Sequence, residues 1–297
     1  MRKVKYRRLL TLLPISFLLL GCQTDDTDGE EVSNVGEDVD YTITATEPGA
    51  GLTELTHNTV EDYELVNWEV QESSTAGMIT SLDQAIQNEE PIIVTAWTPH
   101  WIFERYDLKF LDDPQNSLGE EEYVHTIARM GLEDDHPEAY AVLDAFEWES
   151  DDMQKMMLEA QDASFEEVTA DWIDDNQDYV DELIEGIEPV DGEGIELIST
   201  PWDTERSSSS VMEAILEQIG YDVTVTNVDP VIMFQAIATG EGDASLAPWL
   251  PTTHGSFLDE YGEDIDDLGP NMEGTLNGFA VPSYMDIDSI EDLKTQG

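Results

Sequence analysis

The chain has 297 residues, of which 68 are acidic and 11 are basic, and its formal net charge is −57. This excess of acid argues against nucleic-acid binding, because phosphate recognition requires many Lys and Arg side chains. Hydrophobic residues make up 40% of the chain, which is enough for a packed core and argues against disorder. The length suits one large or two small domains.

The first 21 residues have the pattern of a secretory signal peptide. Basic side chains are concentrated in the first eight positions, and an apolar run follows from Leu9 to Leu20. Such a run is too short to span a membrane as a stable helix. It ends in Leu-Leu-Gly-Cys, and this order resembles a bacterial lipobox, in which the cysteine (here Cys22) becomes the lipidated first residue. The alternative is a free thiol in a signal peptide that is cleaved elsewhere.

Residues 22–40 predict an acidic tether that starts at the lipidated Cys22. Residues 23–40 hold eight acidic side chains and no basic or aromatic one, a composition typical of a solvated linker. Without residues 1–21 the chain keeps 6 basic and 68 acidic side chains, a net charge of −62. Such a surface repels itself in dilute salt and is screened in concentrated salt. The composition therefore favours a saline medium over a moderate habitat.

The rest of the chain alternates between strands and helices around a helical middle. Two-residue periodicity predicts the strands and 3.6-residue periodicity the helices. The predicted elements are, in chain order, strands at 41–45 and 68–72, a helix at 75–87, a strand at 92–97, helices over about 120–186, a strand at 195–199, a helix opened by a capping box of Ser210 and Glu213 and stopped by Gly220, a strand at 223–225, a helix at 231–238 and a strand at 244–249.

The two strand–helix series predict an α/β fold with two lobes. The first lobe is expected over 41–120 and the second over 121–280, and residues 281–297 are a candidate for a return to the first lobe. Each series ends on a tryptophan close to a proline, Trp97 in one and Trp249 in the other. Loops at the carboxyl ends of strands are where α/β proteins bind ligands, so we expect a ligand between the lobes. Two buried core tryptophans are the alternative.

No catalytic or metal-binding motif accompanies this pattern. The glycine turns at 49–51 and 240–242 lack the third glycine of a dinucleotide loop, and no phosphate loop or nucleophile elbow occurs. The five histidines show no zinc spacing, and Asp286 and Asp288 lack the other positions of an EF-hand. We therefore predict a protein that is not an enzyme and that uses no cofactor or metal.

The tryptophans indicate what the ligand is. A quaternary ammonium group cannot donate hydrogen bonds, and it is bound by indole faces through their quadrupole. Trp97, Trp202 and Trp249 lie at turn positions after predicted strands. They are the candidates for a cage around such a cation.

Several long phrases resemble those of one family, the glycine betaine/proline betaine-binding lipoproteins of Gram-positive osmoprotectant ABC importers. The resemblance covers essentially all of 41–297. Because the half with the W-D-x-E phrase comes second here, the order resembles the circularly permuted, OpuAC-type subgroup. The phrases are TATEPGAGLTELT (44–56), IIVTAWTPHWIFERYDLKFLDDP (92–114), TPWDTERSSSSVMEAILEQIGYDVTVT (200–226), AIATGEGDASLAPWLPTTH (236–254), NGFAVPSYM (277–285) and SIEDLK (289–294).

This resemblance implies a periplasmic-binding-protein-like fold of class II and a ligand carboxylate bound by the backbone N–H groups of Gly51 and Leu52 and by the side chain of His254. It assigns the ammonium cage to the same three tryptophans that the turn positions indicate. The implied partners are a membrane permease and its ATPase, and the implied location is the extracellular face of the cell membrane with a lipid anchor. The remaining aromatic residues singled out are expected to pack beside the pocket (His100, Trp101) or in the core (Trp68, Trp148, Trp172).

Two other classes of function stay open at this point. One is a receptor of the same fold for choline, carnitine or a sulfonium analogue. The other is a secreted hydrolase of saline media that uses the abundant carboxylates.

The charge predicts that salt stabilises the protein. We expect the melting temperature to rise as salt is added towards 1 M, where the Debye length falls to about 3 Å. Thermal unfolding followed by circular dichroism over a salt series measures this. A protein that is most stable at low ionic strength would contradict the halophilic interpretation.

Overall fold

The computed structural model of the protein describes residues 34–294. Its strands are β1 (Thr42–Thr44), β2 (Glu69–Gln71), β3 (Val94–Thr98), β4 (Leu108–Phe110), β5 (Glu122–Arg129), β6 (Gly194–Ser199), β7 (Asp222–Asn227), β8 (Ala244–Ser245), β9 (Trp249–Leu250) and β10 (Ile265–Pro282). Its helices are α1 (Val35–Asp38), α2 (Gly51–Asp62), α3 (Thr75–Asn88), α4 (Ile102–Arg105), α5 (Leu132–Asp135), α6 (Pro137–Ala145), α7 (Ser150–Glu159), α8 (Phe165–Asp175), α9 (Gln177–Leu183), α10 (Asp203–Gln218), α11 (Pro230–Thr239) and α12 (Gly255–Tyr261). Among the helices described here, none has the length and apolar character needed to cross a bilayer.

The strands form one mixed sheet in the order β2-β1-β3-β10-β5-β8-β6-β7. In the first half of the sheet β1 lies between β2 and β3 and is parallel to both. In the second half β6 lies between β7 and β8 and is again parallel to both. Helices connect the consecutive strands of each parallel set. Helices α2 and α3 do so in the first half, and α10 and α11 do so in the second. The two halves therefore repeat one α/β arrangement, and the predicted fold class is confirmed.

The long strand β10 belongs to both halves of the sheet. Its residues from Ile265 to Thr275 pair with β5, and its residues from Leu276 onward pair with β3 and β4. The pairing with β5 is interrupted by three register shifts, and such bulges bend and twist a strand. The bends let one strand leave the second half and join the first.

Both halves contribute to the hydrophobic core. One contiguous cluster of buried residues runs from Ile43 and Phe279 in the first half to Met212 and Ile215 of α10 in the second. The inward face predicted for the helix of residues 210–219 is confirmed, since Met212, Ile215 and Leu216 have no exposed surface. The packing of these helices and strands fixes the positions of the strand ends, from which the loops of the site extend.

The prediction of a wholly helical region over 120–186 was wrong for its first residues. Residues Glu122 to Arg129 form strand β5, which pairs with β8, β9 and β10. Residues 122, 124, 126 and 128 of this strand are buried, and so is Ile127, but Glu122 and Thr126 are polar. The usual apolar alternation of a strand is therefore hidden in the sequence.

The predicted capping box at Ser210 and Glu213 was also wrong. Helix α10 starts at Asp203, with Trp202 as its N-cap, so Ser210 lies inside the helix. The hydroxyl groups of Ser207 and Ser210 donate to backbone oxygens one turn earlier in the chain. Serines that bond in this way are tolerated within a helix, so the serine run does not mark a helix start.

The last part of the expected tether is folded. Residues 35–38 form helix α1, and Val35 is buried in the main core cluster. The predicted signal peptide (1–21), the lipidation site Cys22 and the rest of the tether lie outside the described residues.

A buried carboxylate joins three segments near the centre of the sheet. Glu122 of β5 is fully buried. One of its oxygens accepts from the backbone N–H groups of Thr252 and Thr253 at 3.0 and 2.9 Å. The other accepts from the Thr253 hydroxyl at 2.7 Å and from the Asn277 amide at 3.1 Å. The loop that follows β9 is thus bound to β5 and β10 through one side chain.

We expect Glu122→Gln to destabilise the fold. The amide N–H₂ group of glutamine replaces the oxygen that accepts from the backbone N–H groups of Thr252 and Thr253. These two buried donors then lose their acceptor and face another donor. The free energy of unfolding should fall by about 2 kcal/mol or more. Urea denaturation in high salt measures it, with the exposed neighbour Glu121→Gln as the matched control. Equal urea midpoints for the two variants would refute this role.

Candidate functional site

The six predicted site residues line one cavity between the two halves of the sheet. This cavity has a volume of about 40 Å³, so it suits a small ligand. The lining residues that were predicted are Gly51, Leu52, Trp97, Trp202, Trp249 and His254, and those that were not predicted are Thr46, Ala50, Thr204, Glu205, Thr253 and Asn277.

The first half of the sheet brings a helix N-terminus and a tryptophan to the cavity. Helix α2 begins at Gly51, after β1, and its N-cap Ala50 provides no side-chain hydrogen bond. The first N–H groups of a helix have no partner within the helix, so those of Gly51 and Leu52 are available to an anion. Trp97 lies near the end of β3 and is 7% exposed.

Only glycine fits at position 51. A Cβ atom there would lie 2.3 Å from the carbonyl oxygen of Thr253, well inside van der Waals contact. Thr253 belongs to the loop after β9, in the second half of the sheet. The missing side chain therefore lets the start of α2 approach the opposite wall of the cavity.

The second half brings two tryptophans. Trp202 follows β6 and is the N-cap of α10, and Trp249 begins β9. The Trp249 indole N–H donates to Glu205 at 2.8 Å. The Trp202 indole N–H crosses to the first half, where Glu47 and Thr75 accept it at 3.2 and 3.1 Å. Each indole plane is thus held by a bond at its polar edge, which leaves its face free to make contacts.

Burial keeps the His254 ring neutral, and its backbone partner decides which ring nitrogen carries the proton. Its Nδ1 accepts a hydrogen bond from the Trp249 backbone N–H at 2.9 Å, and the ring is buried. Burial lowers the pKa of His254 to about 4, so the ring is neutral at pH 7. In the neutral ring the remaining proton is on Nε2. His254 is therefore a donor through Nε2.

The residues that were expected to pack beside the pocket do so. His100 is buried against Trp97 in an edge-to-face contact, with ring centroids 4.6 Å apart. The buried Trp101 donates its indole N–H to Asp203 at 3.2 Å, a further bond between the two halves. The expected core tryptophans are buried as well, and they are Trp68, Trp148 and Trp172.

Sequence reasoning missed three acidic residues that support the site, namely Glu47, Glu122 and Glu205. A local signal existed for two of them, because Glu47 lies in the TEPG turn and Glu205 in the W-D-x-E phrase. In a chain with 68 acidic residues a single carboxylate does not stand out. Their burial and bonding distinguish them, and these are tertiary properties.

A family model and a curated relative both match this chain, and both are described as proteins of glycine betaine transport. The family model described as the substrate binding domain of ABC-type glycine betaine transport systems, OpuAC, matches residues 25–175 and 193–297. The glycine betaine/carnitine transport binding protein GbuC of Listeria monocytogenes is 43% identical over 296 residues, which cover 97% of this chain and 99% of that protein.

Two solved structures match part of the chain. Lactococcal OpuAC in its closed form with glycine betaine is 41% identical, over 48% of this chain and 57% of that one, with a TM-score of 0.47. The glycine betaine/L-proline-binding protein ProX of Borrelia burgdorferi is 35% identical, over 54% and 60%, with a TM-score of 0.45. Because these superpositions are partial, the assignment rests on the family model and on the Listeria relative, which span nearly the whole chain. The chain belongs to the family of substrate-binding domains of ABC-type glycine betaine transport systems.

Proposed function

We propose that this protein is an extracellular receptor that binds glycine betaine or proline betaine and delivers it to an ABC importer for osmoprotection. The observation that carries the proposal is the single cavity lined by three tryptophans, the start of α2 and His254. A betaine has a cationic end without hydrogen-bond donors and an anionic end with acceptors only. The cavity offers a suitable set of groups for each end.

The three indoles suit the cationic end. Each cation–π contact contributes roughly 0.5–2 kcal/mol, and the larger values belong to desolvated sites. Trp97 and Trp249 are almost fully buried, and Trp202 is partly buried. Their assignment as the ammonium cage is supported by their convergence on one cavity from three separate segments, namely the end of β3, the start of α10 and the start of β9.

The start of α2 and His254 suit the anionic end. The backbone N–H groups of Gly51 and Leu52 are reinforced by the positive end of the helix dipole. The Nε2–H group of His254 adds a donor that stays neutral at pH 7 and so does not compete with the cation. The ligand carboxylate would thus receive up to three hydrogen bonds without a formal positive charge from the protein.

The ligand is held by both halves of the sheet, which suits a receptor that closes around it. We assign the first lobe to residues 41–120 and the second to the residues from 121 onward. The return to the first lobe is assigned to β10 from Leu276, a few residues before the predicted 281, because β10 pairs with β3 from there. Bonds from Trp202 to Glu47 and from Trp101 to Asp203 cross between them. A ligand that touches both lobes binds the closed form better, and that difference in affinity drives closure.

The proposed location is the extracellular face of the cell membrane. Residues 1–21 would direct export, and a lipid on Cys22 would anchor the mature chain. The closed receptor would then dock on a membrane permease that is powered by a separate ATPase. The family assignment supports these partners, and the acidic composition supports a saline exterior.

Carnitine is the second candidate ligand, because the Listeria relative carries carnitine in its name. Carnitine has the same two charged groups but a longer chain between them. Choline and sulfonium analogues are less suited, because choline lacks the carboxylate that the α2 end is built to receive.

Replacing each cage tryptophan tests the cationic end. We expect Trp97→Ala, Trp202→Ala and Trp249→Ala each to weaken glycine betaine binding tenfold or more, on the order of one cation–π contact. The matched variant Trp97→Phe keeps a smaller aromatic face and should lose less. Isothermal titration calorimetry in high salt measures the dissociation constants, and unchanged affinity in all three alanine variants would rule out the cage.

Replacing His254 tests the anionic end. Asparagine keeps an acceptor close to the position of Nδ1, so the Trp249 backbone N–H stays paired, but it removes the Nε2–H donor. We expect His254→Asn to weaken glycine betaine binding by roughly tenfold, the value of one hydrogen bond to a charged group. Choline, tested in parallel, should bind both proteins with the same affinity. A betaine affinity equal to that of the wild type would remove His254 from the site.

A further inference from the structure

Two helices present their N-termini to the cavity from equivalent places in the fold. Helix α2 follows β1, the middle strand of the first parallel set, and α10 follows β6, the middle strand of the second. A helix N-terminus favours an anion. Two open helix ends would suit a ligand with two negative groups, whereas a betaine has one negative and one positive group.

The two helix starts differ at their third residue. In α2 this position holds Thr53, whose hydroxyl group forms a hydrogen bond with that of Thr46 at 3.1 Å. In α10 it holds Glu205, which is 4% exposed and lines the cavity. The protein's own carboxylate thus lies at one helix start, while the other is left to the ligand.

The Glu205 carboxylate is bound by neutral donors. One oxygen accepts from the Trp249 indole N–H at 2.8 Å, and the other accepts from the Thr204 hydroxyl at 2.5 Å. Within residues 34–294 no basic side chain forms an ion pair with it. The adjacent Arg206 pairs with Asp203 at 3.4 Å and lies 4.2 Å from the centre of the Phe165 ring. A buried carboxylate without a counter-charge is costly.

We propose that Glu205 is a specificity-determining residue, which supplies the buried counter-charge for the quaternary ammonium group and holds the Trp249 face towards it. The inference rests on the proposed function and adds a requirement for positive charge on the ligand. The indoles alone also accept a neutral trimethyl group, because its methyl surface is apolar. The carboxylate distinguishes the cation from a neutral group of the same shape.

The surroundings of Glu205 make its ionisation measurable. Burial raises the pKa of Glu205 to about 7, although its hydrogen bonds act in the opposite direction. His254 also lines the cavity, and burial lowers its pKa to about 4. Strand β6 carries Glu196, which accepts from Thr226, and β3 and β9 carry no charged residue. The charged side chains of α6, α7 and α8, which pack on α10, are exposed or half-exposed.

The experiment compares two ligands of equal shape. In 3,3-dimethylbutanoate a carbon atom replaces the nitrogen of glycine betaine, so the cationic charge is lost and the carboxylate is kept. Glu205→Gln keeps an acceptor for the Trp249 indole N–H and loses the negative charge. We expect it to weaken glycine betaine binding about tenfold or more and to leave the affinity for 3,3-dimethylbutanoate unchanged or higher. Glu217→Gln, at an exposed position of the same helix, should change neither.

The pH profile of the wild-type protein is the second measurement and needs no variant. A cation binds best when Glu205 is ionised, so affinity should fall as the pH drops through 7. Glycine betaine should bind about tenfold more weakly at pH 6 than at pH 8.5, and 3,3-dimethylbutanoate should show no such loss. His254 does not titrate in this window. Glu205→Gln should bind betaine equally well at both pH values.

The outcomes separate this inference from the proposed function. If the wild-type protein does not bind glycine betaine at all, both are overturned. If it binds, and Glu205→Gln weakens both ligands equally or neither, Glu205 only positions Trp249 or has no role, and the counter-charge is refuted. Should the variant fail to fold, as judged by circular dichroism, the wild-type pH profile of the two ligands decides alone.

Discussion

The carboxylate of Glu122 receives four hydrogen bonds at the place where β5, β10 and the loop after β9 meet. The cavity depends on this contact, because the loop carries Thr253 and His254 and follows Trp249. Asn277, one of its donors, lies opposite Trp97 in the pairing of β10 with β3. The buried Glu122 side chain therefore holds the loop after Trp249 next to the part of β10 that pairs with Trp97. Such a group is tolerated because its bonds replace the water that it loses on folding.

The site is built from two copies of one arrangement with opposite polarity. In each half a helix begins after the middle parallel strand, and a tryptophan lies at or shortly after the end of the third strand of the set, Trp97 in β3 and Trp249 after β8. Doubly wound sheets bind ligands at such strand ends. The first copy leaves its helix start open, and His254, a neutral donor from the second half, also lines the cavity. The second covers its helix start with Trp202 and Glu205. A symmetric scaffold is thereby given a positive and a negative end, which is what a zwitterion requires.

The net charge of −57 is separate from the recognition of the proposed ligand. The proposed ligand has no net charge, so a strongly acidic surface neither attracts nor repels it at long range. The carboxylates that support the cavity, at positions 47, 122 and 205, are buried or partly buried. Glu47 and Glu122 act through hydrogen bonds, and Glu205 is proposed to add a negative charge. A saline exterior is also the condition under which a cell benefits from importing an osmoprotectant.

The sequence by itself determined most of the local structure and the six residues of the predicted site. Periodicity is a local property, so the alternation of strands and helices and the inward face of α10 could be predicted, and the family phrases carried the tryptophans, Gly51, Leu52 and His254. Prediction from the sequence failed where the role of a residue depends on neighbours that are distant in the chain. Strand β5 was missed because it buries Glu122 and Thr126, and the start of α10 was missed because its serines bond within the helix. Only the tertiary structure selected Glu47, Glu122 and Glu205 from 68 acidic residues, because burial and hydrogen-bond partners arise when segments far apart in the chain come together.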